Sequence, residues 1–220
     1  MKKHVIFDFG NVLIRFDPTY MTAALVSDPH DAETIRHVVF DRLYWDRLDD
    51  GTISDAEVLA AVCARLPERL HKAAQQVYLR WYEHLPEIDG MRELLHDIKA
   101  QGRGLYLLSN ISCGFAQGYA SVLALRSLLS SFDGLVFSGP LGMVKPQREI
   151  FRHLLDTYGL RAEDCVFVDD SPINVEGARR AGIDATLFEG NAEDVRRALG
   201  VPHGLSSASR ALPCTCAPRA

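Results

Sequence analysis

Four short, continuous runs of Val, Ile, Leu and Phe, each ending abruptly in polar residues, constrain this chain most: His4–Phe7, Gly104–Leu108, Gly134–Phe137 and Cys165–Val168. A strand with one solvated face alternates apolar and polar residues. An uninterrupted run of this length therefore predicts a strand covered on both sides, as in a parallel sheet. Ala185–Phe188 is a weaker fifth run. Helical patterns separate them: Gly90–Ala100 ends at Gly102, Gln147–Thr157 opens after Pro146 and closes near Gly159, and Pro172–Ala181 closes at Gly182. Alternation of strand and helix restricts the fold to α/β, an open Rossmann-like parallel sheet with right-handed crossovers.

The alternation fails between the first and second runs. From about residue 18 to 88 there is no convincing strand, but there are several helical periods, clearest at Ser54–Leu66 and Leu70–His84. Ser54-Asp55-Ala56-Glu57 has the form of a capping box, and Asp49-Asp50-Gly51 reads as the loop before it. An all-helical block placed there predicts an inserted cap, residues 17–88, on a core of residues 1–16 and 89–203. The stretch 204–220, Ser-rich and then Pro-Cys-Thr-Cys-Ala-Pro, lacks periodicity and reads as a flexible tail.

Composition excludes several classes. The net charge of −5 is spread along the chain, with no basic block to neutralise a row of phosphates, so nucleic acid is not expected as a partner. The apolar run after Met-Lys-Lys-His is too short for a signal-peptide core, and none approaches the roughly 20 apolar residues of a membrane span. No membrane partner and a cytoplasmic location follow as expectations. Cys63, Cys113, Cys165, Cys214 and Cys216 form no CxxC pair, which argues for reduced thiols rather than a disulfide framework or zinc site. Nothing in the pattern dictates an oligomeric state.

Ligands of open α/β sheets bind at the carboxyl ends of the strands. The residues after each run are Asp8 in Phe-Asp-Phe-Gly-Asn-Val, Ser109-Asn110, Gly142-Met143-Val144-Lys145-Pro146, and Asp169-Asp170-Ser171-Pro172-Ile173-Asn174. One sheet edge thus gathers three carboxylates, a lysine, a hydroxyl and an amide. Carboxylates crowded together repel one another unless a cation sits among them, and hard oxygen ligands favour Mg2+. A magnesium site shared with a bound phosphate gives every group a task. Asp8 attacks phosphorus once the metal and Lys145 have neutralised the repulsion; Ser109 and the amide of Asn110 hold the non-bridging oxygens.

In this order the residues resemble the haloacid dehalogenase superfamily, whose four short motifs match Asp8, Ser109, Lys145 and Asp169-Asp170. Within subfamily IA, Phe-Asp-Phe-Gly-Asn-Val and Leu-Gly-Met-Val-Lys-Pro are similar to the branch containing alpha-D-glucose-1-phosphate phosphatase and the phosphatase domain of soluble epoxide hydrolase. The resemblance implies that Asp8 is nucleophile and metal ligand and that the Gly10 carbonyl is a second ligand. It implies that Asp170, with Asp169 close by, completes the metal site, and that Asn174 orients the lysine. The expected substrate is a small phosphorylated metabolite, a sugar phosphate such as glucose 1-phosphate. The cap is of the type that selects substrates, with Arg15, Asp17, Tyr44, Trp45 and Trp81 in it or its hinge. Helical spacing makes those aromatics core residues before substrate contacts.

One departure stands out. Most phosphatases of the superfamily carry an aspartate two residues after the nucleophile, as general acid and then base; here that residue is Gly10. A missing acid costs roughly 10²–10⁴-fold in rate. Asp17 or water are the candidate replacements. Two rivals follow from the glycine: a metal-independent 2-haloacid dehalogenase, which the paired Asp169 and Asp170 disfavour, and a catalytically idle protein that binds a ligand or partner.

Overall fold

In a computed structural model describing residues 2–204, the chain forms a five-stranded parallel sheet in the order β3-β2-β1-β4-β5. The strands are β1 (His4–Phe7), β2 (Gly104–Ser109), β3 (Gly134–Phe137), β4 (Cys165–Asp169) and β5 (Asp184–Leu187). The central register pairs Phe7 with both Leu107 and Val168, so β1, β2 and β4 end level with one another. The expected α/β parallel core is thus present. Its fifth strand starts one residue earlier than the apolar run suggests, because β5 is a half-exposed edge and lacks the two-sided burial that makes β1, β2 and β4 legible.

Three clusters of apolar side chains hold the molecule together. Val5, Phe7, Leu105, Leu107, Val166 and Val168 point to one face of the sheet, under α6 (Met91–Ala100) and, farther along the chain, α11 (Ala192–Leu199). Ile6, Tyr106, Leu108 and Phe167 point to the other, under α9 (Arg148–Tyr158) and α10 (Pro172–Arg180). Alternate residues of one strand thus fill opposite layers. The third cluster lies between the helices that follow β1: α1 (Pro18–Ala23), α2 (Pro29–Val39), α3 (Arg42–Asp49), α4 (Asp55–Ala64) and α5 (Glu68–Arg80). Ile35, Val39, Leu48, Val58, Val62 and Val77 are buried there.

The helical block leaves and rejoins the core through two paired segments. Ile14 bridges Glu87, the Arg15 N–H donates to the Pro86 carbonyl at 2.8 Å, and Ile88 N–H to Leu13 at 2.9 Å. Within the block, Ser54 and Glu57 form the reciprocal capping box, which sets the start of α4. Two helices with no clear sequence signature, α7 (Cys113–Gly118) and α8 (Leu123–Leu129), complete the core. Among the described residues no helix is long and apolar enough to cross a membrane. Apart from Gly204, the expected tail, with Cys214 and Cys216, lies outside the described residues.

One glycine matters for the site. Gly177, on α10, is packed against Pro146; a Cβ there would lie 2.8 Å from the Pro146 carbonyl oxygen and 2.7 Å from its Cβ. Gly177→Ala is therefore expected to displace the Lys145-Pro146 segment and to cost about 1–3 kcal/mol as an overpacking change, read by chemical denaturation. An unchanged unfolding midpoint would show that α10 yields freely.

Candidate active site

The strand order reverses at β1, so the loops after β1 and its neighbours diverge and open a crevice at their carboxyl ends. Asp8 directly follows β1, Ser109 closes β2, and Asp169 closes β4. Lys145 arrives from the β3 loop and is buried to 4% exposure. Its Nζ donates to Asp8 Oδ1 at 2.6 Å and to Asp169 Oδ2 at 2.7 Å. This buried bridge decides the electrostatics. Burial pushes the Asp8 carboxyl up to about 7; Lys145 opposes the shift and Asp169 adds to it. Burial pulls Lys145 down, but the two carboxylates outweigh it and hold its ammonium above the ordinary lysine value. The proton therefore stays on the lysine.

Each anchor is itself anchored. Asp169 Oδ1 accepts from the Ser171 N–H at 2.8 Å and from Asn174 Nδ2 at 3.1 Å. Asn174 thus steadies the carboxylate that holds the lysine and acts on Lys145 at one remove. The Asn110 side chain has a task of its own. It clamps the Lys145 backbone, donating to the carbonyl at 3.0 Å and accepting from the N–H at 2.8 Å. That leaves only the residue's main chain to meet a ligand. Asp170 is raised above its usual range by burial and by the charge of Asp169, with a hydrogen bond from the Asn11 side chain opposing. Asn11 itself adopts φ +55°, an uncommon left-handed conformation that asparagine tolerates.

A metal fits this donor set. Asp8, Asp169 and Asp170 can each bring one ligand atom within 4.8 Å of the others. The three carboxylates face a single lysine, so a divalent cation matches the charge left over. Among the described residues no N–H donates to the Gly10 carbonyl, an orphan acceptor beside Asp8. Both Asp169 oxygens are already engaged by Lys145, Ser171 and Asn174. The oxygens better placed to bind are therefore those of Asp8, Gly10 and Asp170.

Over these groups opens a cavity of about 260 Å³. Asp8, Gly10, Ser109 and Asp170 form its floor, and Phe16, Phe40, Trp45 and Trp81 form an aromatic wall. Trp45 packs edge-on to Trp81 at 5.1 Å and stacks on Phe40 at 5.2 Å. The two tryptophans are thus core residues, as their spacing suggests, and also line the cavity. Asp17 does not line it; its Oδ1 caps α1 by accepting from the Thr19 and Tyr20 N–H groups. The expectation that Asp17 contacts substrate or replaces the missing acid is corrected accordingly: a cap site at a hinge looks the same in sequence as a ligand contact. Arg15 is exposed and Tyr44 holds Arg65; neither lines the cavity.

The residue that sequence reasoning missed is Asp49. It ends α3 and faces the cavity, where a loop was expected. Arg42, Trp45, Asp46 and Asp49 are spaced i, i+3, i+4 and i+7, one face of a helix, and all four line the cavity. A polar stripe at that spacing was the available signal.

A family model for haloacid dehalogenase-like hydrolases matches residues 2–182. The chain belongs to this family. Three curated relatives share its sequence. It is 29% identical to drimenol cyclase drtB of Aspergillus calidoustus over 90% of its own length, but spans only 36% of that protein. It is 25% identical to the sesquiterpene phosphatase astK of Aspergillus oryzae, covering 82% of this chain and 87% of the relative. It is 27% identical to a D-ribitol-5-phosphate phosphatase of Bacteroides thetaiotaomicron, covering 91% and 98%. Among solved structures, a haloacid dehalogenase family enzyme of Bacteroides thetaiotaomicron, in complex with magnesium and inorganic phosphate, superposes with a TM-score of 0.64 at 20% identity. It covers 89% of this chain and 99% of its own, a likeness of fold.

Proposed function

We propose that this haloacid dehalogenase-like hydrolase is a phosphatase of small phosphate monoesters, working through an aspartyl phosphate on Asp8. The observation that carries the reading is the buried Lys145 bridge, which holds one oxygen of Asp8 and aligns its carboxylate at the cavity floor. A phosphate brought there meets a nucleophile whose charge is partly offset by an ammonium. Asp8 forms the new bond to phosphorus as the alcohol leaves; water then cleaves the aspartyl phosphate. The Ser109 hydroxyl and the Asn110 main chain face the transferring oxygens. Magnesium, held by Asp8, the Gly10 carbonyl and Asp170, would supply charge neutralisation to the phosphoryl group.

For the substrate, the resemblance and the ribitol-phosphate relative support a sugar phosphate such as glucose 1-phosphate. The aromatic wall favours a second reading, a phosphate ester with an apolar body, in line with the sesquiterpene phosphatase relative. A panel of sugar phosphates and alkyl or isoprenoid phosphates, assayed with magnesium, separates the two by relative kcat/KM. EDTA is expected to abolish phosphate release and added magnesium to restore it. Phosphate release indifferent to EDTA, or chloride release from 2-haloacids, would move the assignment to the metal-independent dehalogenases. No turnover of any ester would favour an idle binding protein.

A further inference from the structure

We propose that Asp49, on the helical cap, is the general acid and base of this site and takes the task that Gly10 cannot perform. The inference rests on the phosphatase reading of Asp8. The cavity has a floor of metal-binding and nucleophilic groups and, facing it, two carboxylates on α3, Asp46 and Asp49. Asp46 is spoken for: it is exposed and paired to Arg42 Nη2 at 3.0 Å. Asp49 is different. Among the described residues no donor lies within hydrogen-bond distance of its carboxyl, and no cation within ion-pair distance.

Asp49 is nevertheless held in place. Its carbonyl accepts from the buried Ser138 hydroxyl at 2.6 Å, and Ser138 Oγ in turn accepts from the Ile111 N–H at 2.8 Å. Gly51, two residues on, has φ +72° and lies so close to the core that a Cβ would stand 2.5 Å from the Gly139 carbonyl oxygen. The end of α3 is therefore docked on the loop after β3, the loop that also carries Lys145, next to the segment that follows Ser109 at the end of β2.

The charges around Asp49 suit the role. Burial raises its carboxyl to about 7, with Asp46 and Asp8 adding and Lys145 and Arg42 opposing. A carboxyl near neutrality can both give and take a proton at working pH. In the first step the Asp49 carboxyl passes its proton to the ester oxygen as the P–O bond breaks and the bond from Asp8 to phosphorus forms. In the second, the Asp49 carboxylate takes a proton from the water that attacks phosphorus, as the bond to Asp8 breaks and the Asp8 carboxylate returns.

The test compares kcat/KM for hexyl phosphate, whose leaving group needs a proton, with that for p-nitrophenyl phosphate, whose phenolate departs without one, both with magnesium. The ratio cancels the amount of folded enzyme. Asp49→Asn is expected to lower the hexyl-to-nitrophenyl ratio by about 10²–10⁴-fold, and Asp49→Ser to lower it likewise. Gly10→Asp in the Asp49→Asn background should restore part of the ratio, because a Cβ at Gly10 meets nothing within 4 Å. A ratio unchanged in both Asp49 variants overturns the role. If Asp8→Asn also releases phosphate normally, it is the phosphatase reading that falls; if Asp8→Asn is inactive, only the part assigned to Asp49 does.

Discussion

Asp8→Asn is expected to lower phosphate release by at least about 10⁴-fold, the order seen when a covalent nucleophile is removed and only binding and charge stabilisation remain. The amide keeps the size of the carboxylate, so the fold should survive. It cannot form the acyl phosphate. One favourable side effect is predicted: Asp8 is a buried carboxyl pushed up to about 7, and exchanging it for a neutral group relieves part of that cost. Steady-state turnover and the unfolding midpoint, measured on the same preparation, check both parts. An inactive variant that has also lost its fold would not support the account; an inactive one with a raised unfolding midpoint would.

Lys145→Ala should cost both activity and stability. It leaves Asp8 and Asp169, 8% and 0% exposed, without the cation between them. Breaking a buried ion pair by removing one partner typically costs about 3–5 kcal/mol, far more than the gap left by the side chain's methylenes would suggest. Loss of a charge aimed at the transferring group should lower turnover by a further factor of about 10²–10³. The deficit has a pH signature. Without the lysine, Asp8 loses the charge that offsets its burial and holds its proton more tightly in the folded chain than in the unfolded one. The unfolded state then binds fewer protons, so stability falls as pH rises through the native value. With Asp8 already at about 7 beside the lysine, the loss should be larger at pH 8 than at pH 6. Urea titrations at the two pH values read it, and equal losses would mean that Lys145 is not the counter-charge.

The floor of the site was legible in the sequence because Asp8, Ser109, Asp169 and Asp170 lie at the ends of β1, β2 and β4, strands buried on both faces. Such strands write themselves as continuous apolar runs, and the residues where the runs stop are the ones the sheet presents to ligand. Those four were found in that way and Lys145 in the loop that follows β3, and the structure brings all five together. The short helices that follow β1 carry no comparable signal. In α3 only Leu48 is buried, so its pattern is too sparse to fix which face looks where. Asp49 reaches the cavity through docking of α3 on Ser138 and Gly139, a contact across 89 residues that no local pattern encodes. Asn110 shows the converse limit. Its position after β2 was read correctly, yet its side chain turns to the Lys145 backbone, since a residue type and a strand end do not specify which way an amide points.

The claim at the centre of the account is that Asp8 carries the phosphoryl group. An acid-quenched single turnover with magnesium, digested and analysed by mass spectrometry, tests it most directly. A peptide containing Asp8 is expected to gain the mass of one phosphoryl group before phosphate appears in solution, and the modified peptide to be absent from the Asp8→Asn variant. Phosphate released at full rate with no phosphorylated peptide, or with the group on another residue, would contradict it.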